Sequence, residues 1–116
     1  MSLSGWDAEV SGTRAIAFFV RACDLGDPSG CSRVAGIYKF GSGGIAVNAR
    51  KAAEWHERAC NKGKVAECIS AAFMYEEGEG MRANPKRAVR LYQRACEQDD
   101  TTGCERAGSL SRELRR

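Results

Sequence analysis

Three stretches of this chain carry the same helical face. Alanine, a ring and a second alanine recur at i, i+4 and i+7: Ala15, Phe19 and Ala22, then Ala52, His56 and Ala59, then Ala88, Tyr92 and Ala95. That spacing is one side of an α-helix. Phe18, Trp55 and Leu91 widen each face. Ser11, Asn48 and Asn84 occupy the matching N-cap position, and Pro85 follows Asn84, where proline suits the first helical turn. A second, smaller-residue segment follows each face: Val34, Ala35 and Tyr38, then Ala71, Ala72 and Tyr75, then Ala107, Gly108 and Ser111. Small side chains there let two helices approach closely. Gly41-Ser42-Gly43-Gly44 and Gly78-Glu79-Gly80 end these segments and turn the chain. The pattern predicts six helices over about 12–25, 31–40, 49–62, 68–77, 85–98 and 104–115, with no competing strand pattern. Trp6 and Val10 are expected to fold over the exposed first helix.

The cysteines keep the same beat. Arg-Ala-Cys occurs at Arg21-Ala22-Cys23, Arg58-Ala59-Cys60 and Arg94-Ala95-Cys96, and each cysteine is followed eight residues later by another, Cys31, Cys68 and Cys104. The unit therefore recurs after 37 and then 36 residues, a period typical of stacked helical hairpins. On one continuous helix, residues eight apart would be separated by about 12 Å, whereas a disulfide wants Cα atoms roughly 4.4 to 6.8 Å apart. The helix must break between them. Gly26-Asp27-Pro28-Ser29-Gly30, Asn61-Lys62-Gly63 and Asp99-Asp100-Thr101-Thr102-Gly103 supply the turns. Sequential bridges Cys23–Cys31, Cys60–Cys68 and Cys96–Cys104 then join the end of one helix to the start of the next. Zinc fits less well, because there is no Cys-x-x-Cys and His56 is the only histidine. Free thiols are the other alternative. Bridges imply an oxidising compartment, periplasmic or secreted.

Size and charge narrow the field. A chain of 116 residues, 43% hydrophobic and 28% charged, is one ordinary domain. Its longest apolar run, Ala15 to Val20, is far below the roughly 20 residues of a membrane helix, so no membrane insertion is expected. A net charge of +3, with basic residues scattered among acidic ones, argues against nucleic acid as the partner. Met1-Ser2-Leu3 does not open a signal peptide and could be left over from expression.

The Arg-Ala-Cys segments with their eight-residue cysteine spacing, Tyr38 and Tyr75, the Gly41/Gly43 and Gly78/Gly80 turns and the Ala/ring/Ala helices together resemble the Sel-one-like repeat (SLR) family in its cysteine-rich Hcp form, a relative of the tetratricopeptide repeats. The resemblance covers about residues 11–116. It implies an all-α, disulfide-stapled superhelical solenoid acting mostly as a non-enzymatic scaffold for protein or peptide partners, with no cofactor. On this reading, residues 1–10 are an N-terminal extension. Residues 11–30 form a half repeat, 31–67 and 68–103 two repeats, and 104–116 a capping helix. The resemblance also brings an alternative, since some cysteine-rich members have been described as penicillin-binding or weakly β-lactamase-like.

The residues give that alternative little support. A serine β-lactamase would show Ser-x-x-Lys, and the nearest matches, Ser11 with Arg14 and Ser109 with Arg112, end in arginine. His56 shares its position with Phe19 and Tyr92, so a packed ring is the plainer reading than a catalytic base. Gly41-Ser42-Gly43-Gly44 lacks the Gly-Lys-Ser/Thr ending of a phosphate loop and matches a repeat turn. Glu76, Glu77 and Glu79 read as a solvated acidic edge. Arg21, Arg58 and Arg94 are expected to bond carbonyls or a carboxylate near a helix end. No catalytic or metal-ligating set emerges.

In tetratricopeptide-like stacks the second helix of each hairpin lines the concave side. Carried onto this chain, that geometry selects Ser32, Gly36, Lys39 and Phe40, then Ile69, Phe73, Glu76 and Glu77, then Glu105, Ser109 and Arg112 as the binding surface. Apolar anchors among mixed charges suit an extended peptide.

Overall fold

The computed structural model describes the backbone from Gly5 to Arg115 and side chains from Ser11 to Arg115. Across these described residues six α-helices follow one another: α1 Gly5–Asp24, α2 Pro28–Phe40, α3 Ala49–Asn61, α4 Val65–Glu77, α5 Pro85–Glu97 and α6 Thr101–Leu114, with one 3-10 turn at Ser42–Gly44. Each helix packs chiefly on the next in sequence. The result is an elongated stack of 56 × 28 × 19 Å. Its radius of gyration, 15.6 Å, exceeds the value of about 13 Å expected for a compact domain of this length. Such a solenoid has no single deep centre. The buried face is a seam of small residues, Ala35, Ala52, Ala53, Ala59, Ala71, Ala72, Ala88 and Ala95, closed by Tyr75, Leu91, Tyr92 and Leu110.

The Arg-Ala-Cys motif is explained by what its residues do at each hairpin. The alanine carbonyl accepts the backbone N–H of the N-cap residue just before the next helix: Asp27 to Ala22 at 3.0 Å, Lys64 to Ala59 at 3.2 Å and Asp100 to Ala95 at 3.1 Å. This turn leaves the cysteine facing the first turn of the following helix. The bridges are Cys23–Cys31, Cys60–Cys68 and Cys96–Cys104, with Cα separations of 4.9, 4.6 and 4.5 Å. The arginine points the other way, to the preceding unit. Arg58 Nη2 donates to Asp24 Oδ1 at 3.3 Å, and Arg94 Nη1 donates to Asn61 Oδ1 at 2.7 Å. Both contacts are exposed, and exposed pairs add at most about 1 kcal/mol, so they set register more than stability.

Helix starts differ from the sequence expectation in a consistent way. The second helix of each hairpin begins three residues before the cysteine rather than at it, because part of what reads as turn chemistry is helix-start chemistry. Asp27 caps α2 by accepting from Ser29 N at 3.0 Å, with Pro28 in the first turn, and Asp100 caps α6 by accepting from Gly103 N at 2.9 Å. Asn48 and Asn84 are the N-caps expected, accepting from Lys51 N and Arg87 N at 3.0 and 3.1 Å. Ser11 is not a cap: α1 runs through it from Gly5. The covering role expected of Trp6 and Val10 lies outside the described side chains. Gly41 and Gly78 close α2 and α4 at φ 69° and 64°, the left-handed conformation that favours glycine.

The three bridges are not equally protected. Cys23, Cys31, Cys60 and Cys68 are buried, whereas Cys96 is half-buried and Cys104 is exposed. Mild native-state reduction with trapping of freed thiols is therefore expected to label Cys96 and Cys104 first. Simultaneous labelling of all six cysteines would contradict this order.

Candidate interaction surface

In the first and third hairpins the ring of the first helix lies under an arginine of the second. Arg33 sits 6.0 Å from the Phe19 centroid and Arg106 sits 5.8 Å from that of Tyr92. Packed against the backbone of each ring residue is a buried glycine, Gly30 or Gly103, where a Cβ would fall 2.6 Å from the Phe19 carbonyl oxygen or 2.7 Å from that of Tyr92. The middle hairpin changes all three positions together. The ring becomes His56, the arginine Ser70 and the glycine Glu67.

His56 and Glu67, each only 8% exposed, form a buried pair with Nδ1 2.9 Å from Oε2. Burial pushes the Glu67 carboxyl up, but the hydrogen bonds from His56 and Ser32 and the charges of His56 and Lys64 outweigh it and hold the group below its ordinary pKa. With a carboxylate as partner, Nδ1 carries the proton and donates it. Nε2 is buried and bonds no group among the described residues. The ring is thus enclosed by the stack, as the packed-ring reading expects. Ser32 joins this network from the previous unit, accepting from Lys64 Nζ at 3.3 Å.

The surface residues selected from the sequence do not form one strip. Ser32, Gly36 and Phe40 line a hollow of about 450 Å³ between α1 and α2, together with Ala15, Phe19 and Ile37. Lys39, Phe73 and Glu77 line a separate cleft of about 420 Å³ with Val47, Ala49 and Met74. Phe40 and Phe73 are 72% and 54% exposed, large rings that the stack leaves uncovered. Ile69, by contrast, is half-buried against the core. Glu76 is taken up by the fold: it accepts from the Tyr92 hydroxyl at 2.8 Å and pairs with Arg106. Burial, reinforced by this bond to Glu76, pushes Tyr92 up to about 12. On α6, Glu105 and Arg112 are exposed and Ser109 is half-buried, and none of the three lines either hollow.

Sequence reasoning matches His56 to the ring column but passes over its partner. The signal is there in the column Gly30, Glu67, Gly103, where a lone carboxylate replaces glycine in the same unit that replaces a ring with imidazole.

The period, the hairpin bridges and the recurring turns match a known repeat over most of the chain. The Sel1 repeat matches residues 1–27, 28–64 and 68–100. The chain belongs to the Sel1 repeat family. Among curated proteins it is similar to cytochrome c oxidase assembly factor 7A of Xenopus laevis, 32% identical over 89 residues, and to cytochrome c oxidase assembly factor 7 of Xenopus tropicalis, 29% identical over 89 residues. Those matches take in 77% of this chain but only 38% of either relative. Among solved structures, Helicobacter pylori cysteine rich protein B superimposes with a TM-score of 0.66 at 26% identity, over 78% of this chain and 67% of that one. The uropathogenic Escherichia coli antigen c5321 gives 0.69 at 20% identity over 92% of this chain and 26% of that one, a likeness of fold. As a Sel1 repeat array, the stack is a scaffold suited to protein interaction, and its three disulfides suit an oxidising environment.

Proposed function

We propose that this Sel1 repeat chain is a non-enzymatic adaptor that holds an extended segment of a partner protein along the side formed by α2 and α4. The observation that carries the reading is the pair of exposed rings, Phe40 and Phe73, each standing at a hollow of several hundred Å³. Large uncovered aromatics at concave sites are the usual anchors of protein recognition. Lys39, Glu77 and Glu79 together line the Phe73 cleft and give it mixed charge, which favours a peptide over a polyanion. The relatives named as assembly factors are consistent with a role in bringing proteins together. The place of action is an oxidising compartment, periplasm or cell exterior, where the bridges persist.

A phage-displayed library of random peptides provides the test. Peptides selected on the intact chain are expected to lose about tenfold in affinity when Phe40→Ala and Phe73→Ala are combined, the scale of two anchor residues. Melting temperature should hardly move, because both rings are largely exposed. Failure to select any peptide, or selected peptides indifferent to the double change, would defeat the proposal. Turnover of a chromogenic β-lactam by the pure protein would favour the hydrolase alternative instead.

A further inference from the structure

A larger cleft, about 750 Å³, opens on the far side of the α4–α5 turn, with Gly80 shared between it and the Phe73 cleft. Its walls include Arg50 from α3, Tyr75 from α4, Met81 and Arg82 from the turn, and Arg87 from α5. Three guanidinium groups face one lining carboxylate, Glu54, in a chain whose whole net charge is only +3. The arginines differ in how they are held. Arg87 is fixed in place: Nε and Nη2 lie 2.9 and 2.8 Å from Glu57 Oε1, and the guanidinium sits 4.9 Å from the Tyr75 centroid. Arg50 is loosely held, with a side chain 80% exposed and only a 3.7 Å contact to Glu54, which is itself half exposed. A contact of that kind contributes little and yields readily to a better carboxylate. Arg82 is exposed on the turn, with no ion pair among the described residues.

We propose that this cleft binds a short acidic stretch of a partner protein, with its carboxylates on Arg50 and Arg82, while Arg87, already paired with Glu57, shapes the wall behind them. Guanidinium and carboxylate match as planar two-point partners, and two exposed arginines, one loosely paired and one without an ion pair among the described residues, can close on adjacent acidic side chains. Met81 and Tyr75 give the cleft an apolar floor, so an aliphatic residue between the acids fits it. A nucleic-acid duplex or an anionic bilayer fits less well. Either presents negative charge over a wide face, which would also press on Glu54 and on Glu79 in the same turn. The site adjoins the Phe73 cleft at Gly80 but uses different side chains, and it stands or falls independently of the aromatic hollows.

The probe is a fluorescein-labelled peptide of six glutamates around a central leucine, titrated with the intact disulfide-bonded chain and followed by anisotropy. Saturable binding is expected, weakening several-fold as salt rises from about 50 to about 300 mM. Arg50→Glu with Arg82→Glu should weaken it by about tenfold or more. Lys86→Glu with Arg90→Glu, exposed on α5 outside this cleft, removes the same charge and should leave the affinity within about twofold. Equal weakening by both pairs would reveal diffuse attraction and overturn the site, as would absence of saturation at about millimolar protein. So would vesicles of anionic phospholipid that bind more tightly than the peptide and depend on the same two arginines.

Discussion

Reduction of all three disulfides is expected to leave the chain largely unfolded at 37 °C, with most of its helical circular dichroism lost. The reason lies in what the core is made of. Among the described residues, nine of the eighteen buried hydrophobic side chains are alanine and four are bridged cysteines, so the apolar area each removes from water is small. An elongated stack also has more surface to cover than a sphere of the same mass. Closing an eight-residue loop contributes about 2.5 kcal/mol in the chain-entropy account, so three bridges contribute about 7 kcal/mol. Whole domains of this size are stable by about 5–15 kcal/mol. The bridges are therefore comparable to the entire margin. Removing only the central one, with Cys60→Ser and Cys68→Ser, is expected to lower the melting temperature by on the order of 10 °C. A reduced and alkylated chain that melts within a few degrees of the oxidised one would show that the alanine seam suffices alone.

That dependence is legible in the order of residues alone, since eight-residue spacing leaves a cysteine no partner on its own helix, and the pairing follows. Fold class follows from the same period. Helix starts are harder to read because Asp27-Pro28 and Asp100 serve as both the end of a turn and the first residues of a helix, and sequence pattern alone does not divide the two. The turn before α6 also hides a departure: Asp99 adopts φ 67° where Gly26 and Gly63 stand in the other units. The openness of the candidate surface is legible only in part. Helical period selects a face, but a neighbouring unit decides which of its residues remain open, and Tyr92 and Arg106 claim Glu76 while the core claims Ile69. The arginine cleft is not legible at all. Arg50, Arg82 and Arg87 come from α3, a turn and α5, and only the stacking of the hairpins brings them to one hollow.

The buried pair of the middle hairpin sets up the second large effect. His56→Phe is expected to cost about 3 kcal/mol at pH 7, because it leaves the Glu67 carboxylate buried with only Ser32 and Lys64 to hold it. Its neighbours show how the same fold closes without a carboxylate at this position: Gly30 and Gly103 stand in its place, close against the backbone of Phe19 and Tyr92. Adding Glu67→Gly to His56→Phe restores the ring and the glycine of that arrangement, with Ser70 still in place of the arginine. The double variant is expected to recover about 1–2 kcal/mol of the loss, even though glycine in a helix costs up to about 1 kcal/mol by itself. Acidity supplies a second readout. The Glu67 pKa is lowered in the fold, so its contribution to the intact protein is complete above the ordinary carboxylate value of about 4.3 and disappears as pH falls through the lower folded value. In His56→Phe the stabilising partner is gone, and the penalty shrinks on acidification because a protonated Glu67 is cheaper to bury. Urea unfolding of the four proteins of the cycle at pH 7 and near pH 4 measures both effects. If the double variant is destabilised by the full sum of its single changes at pH 7, then the histidine and the carboxylate act separately and the middle hairpin holds no coupled pair.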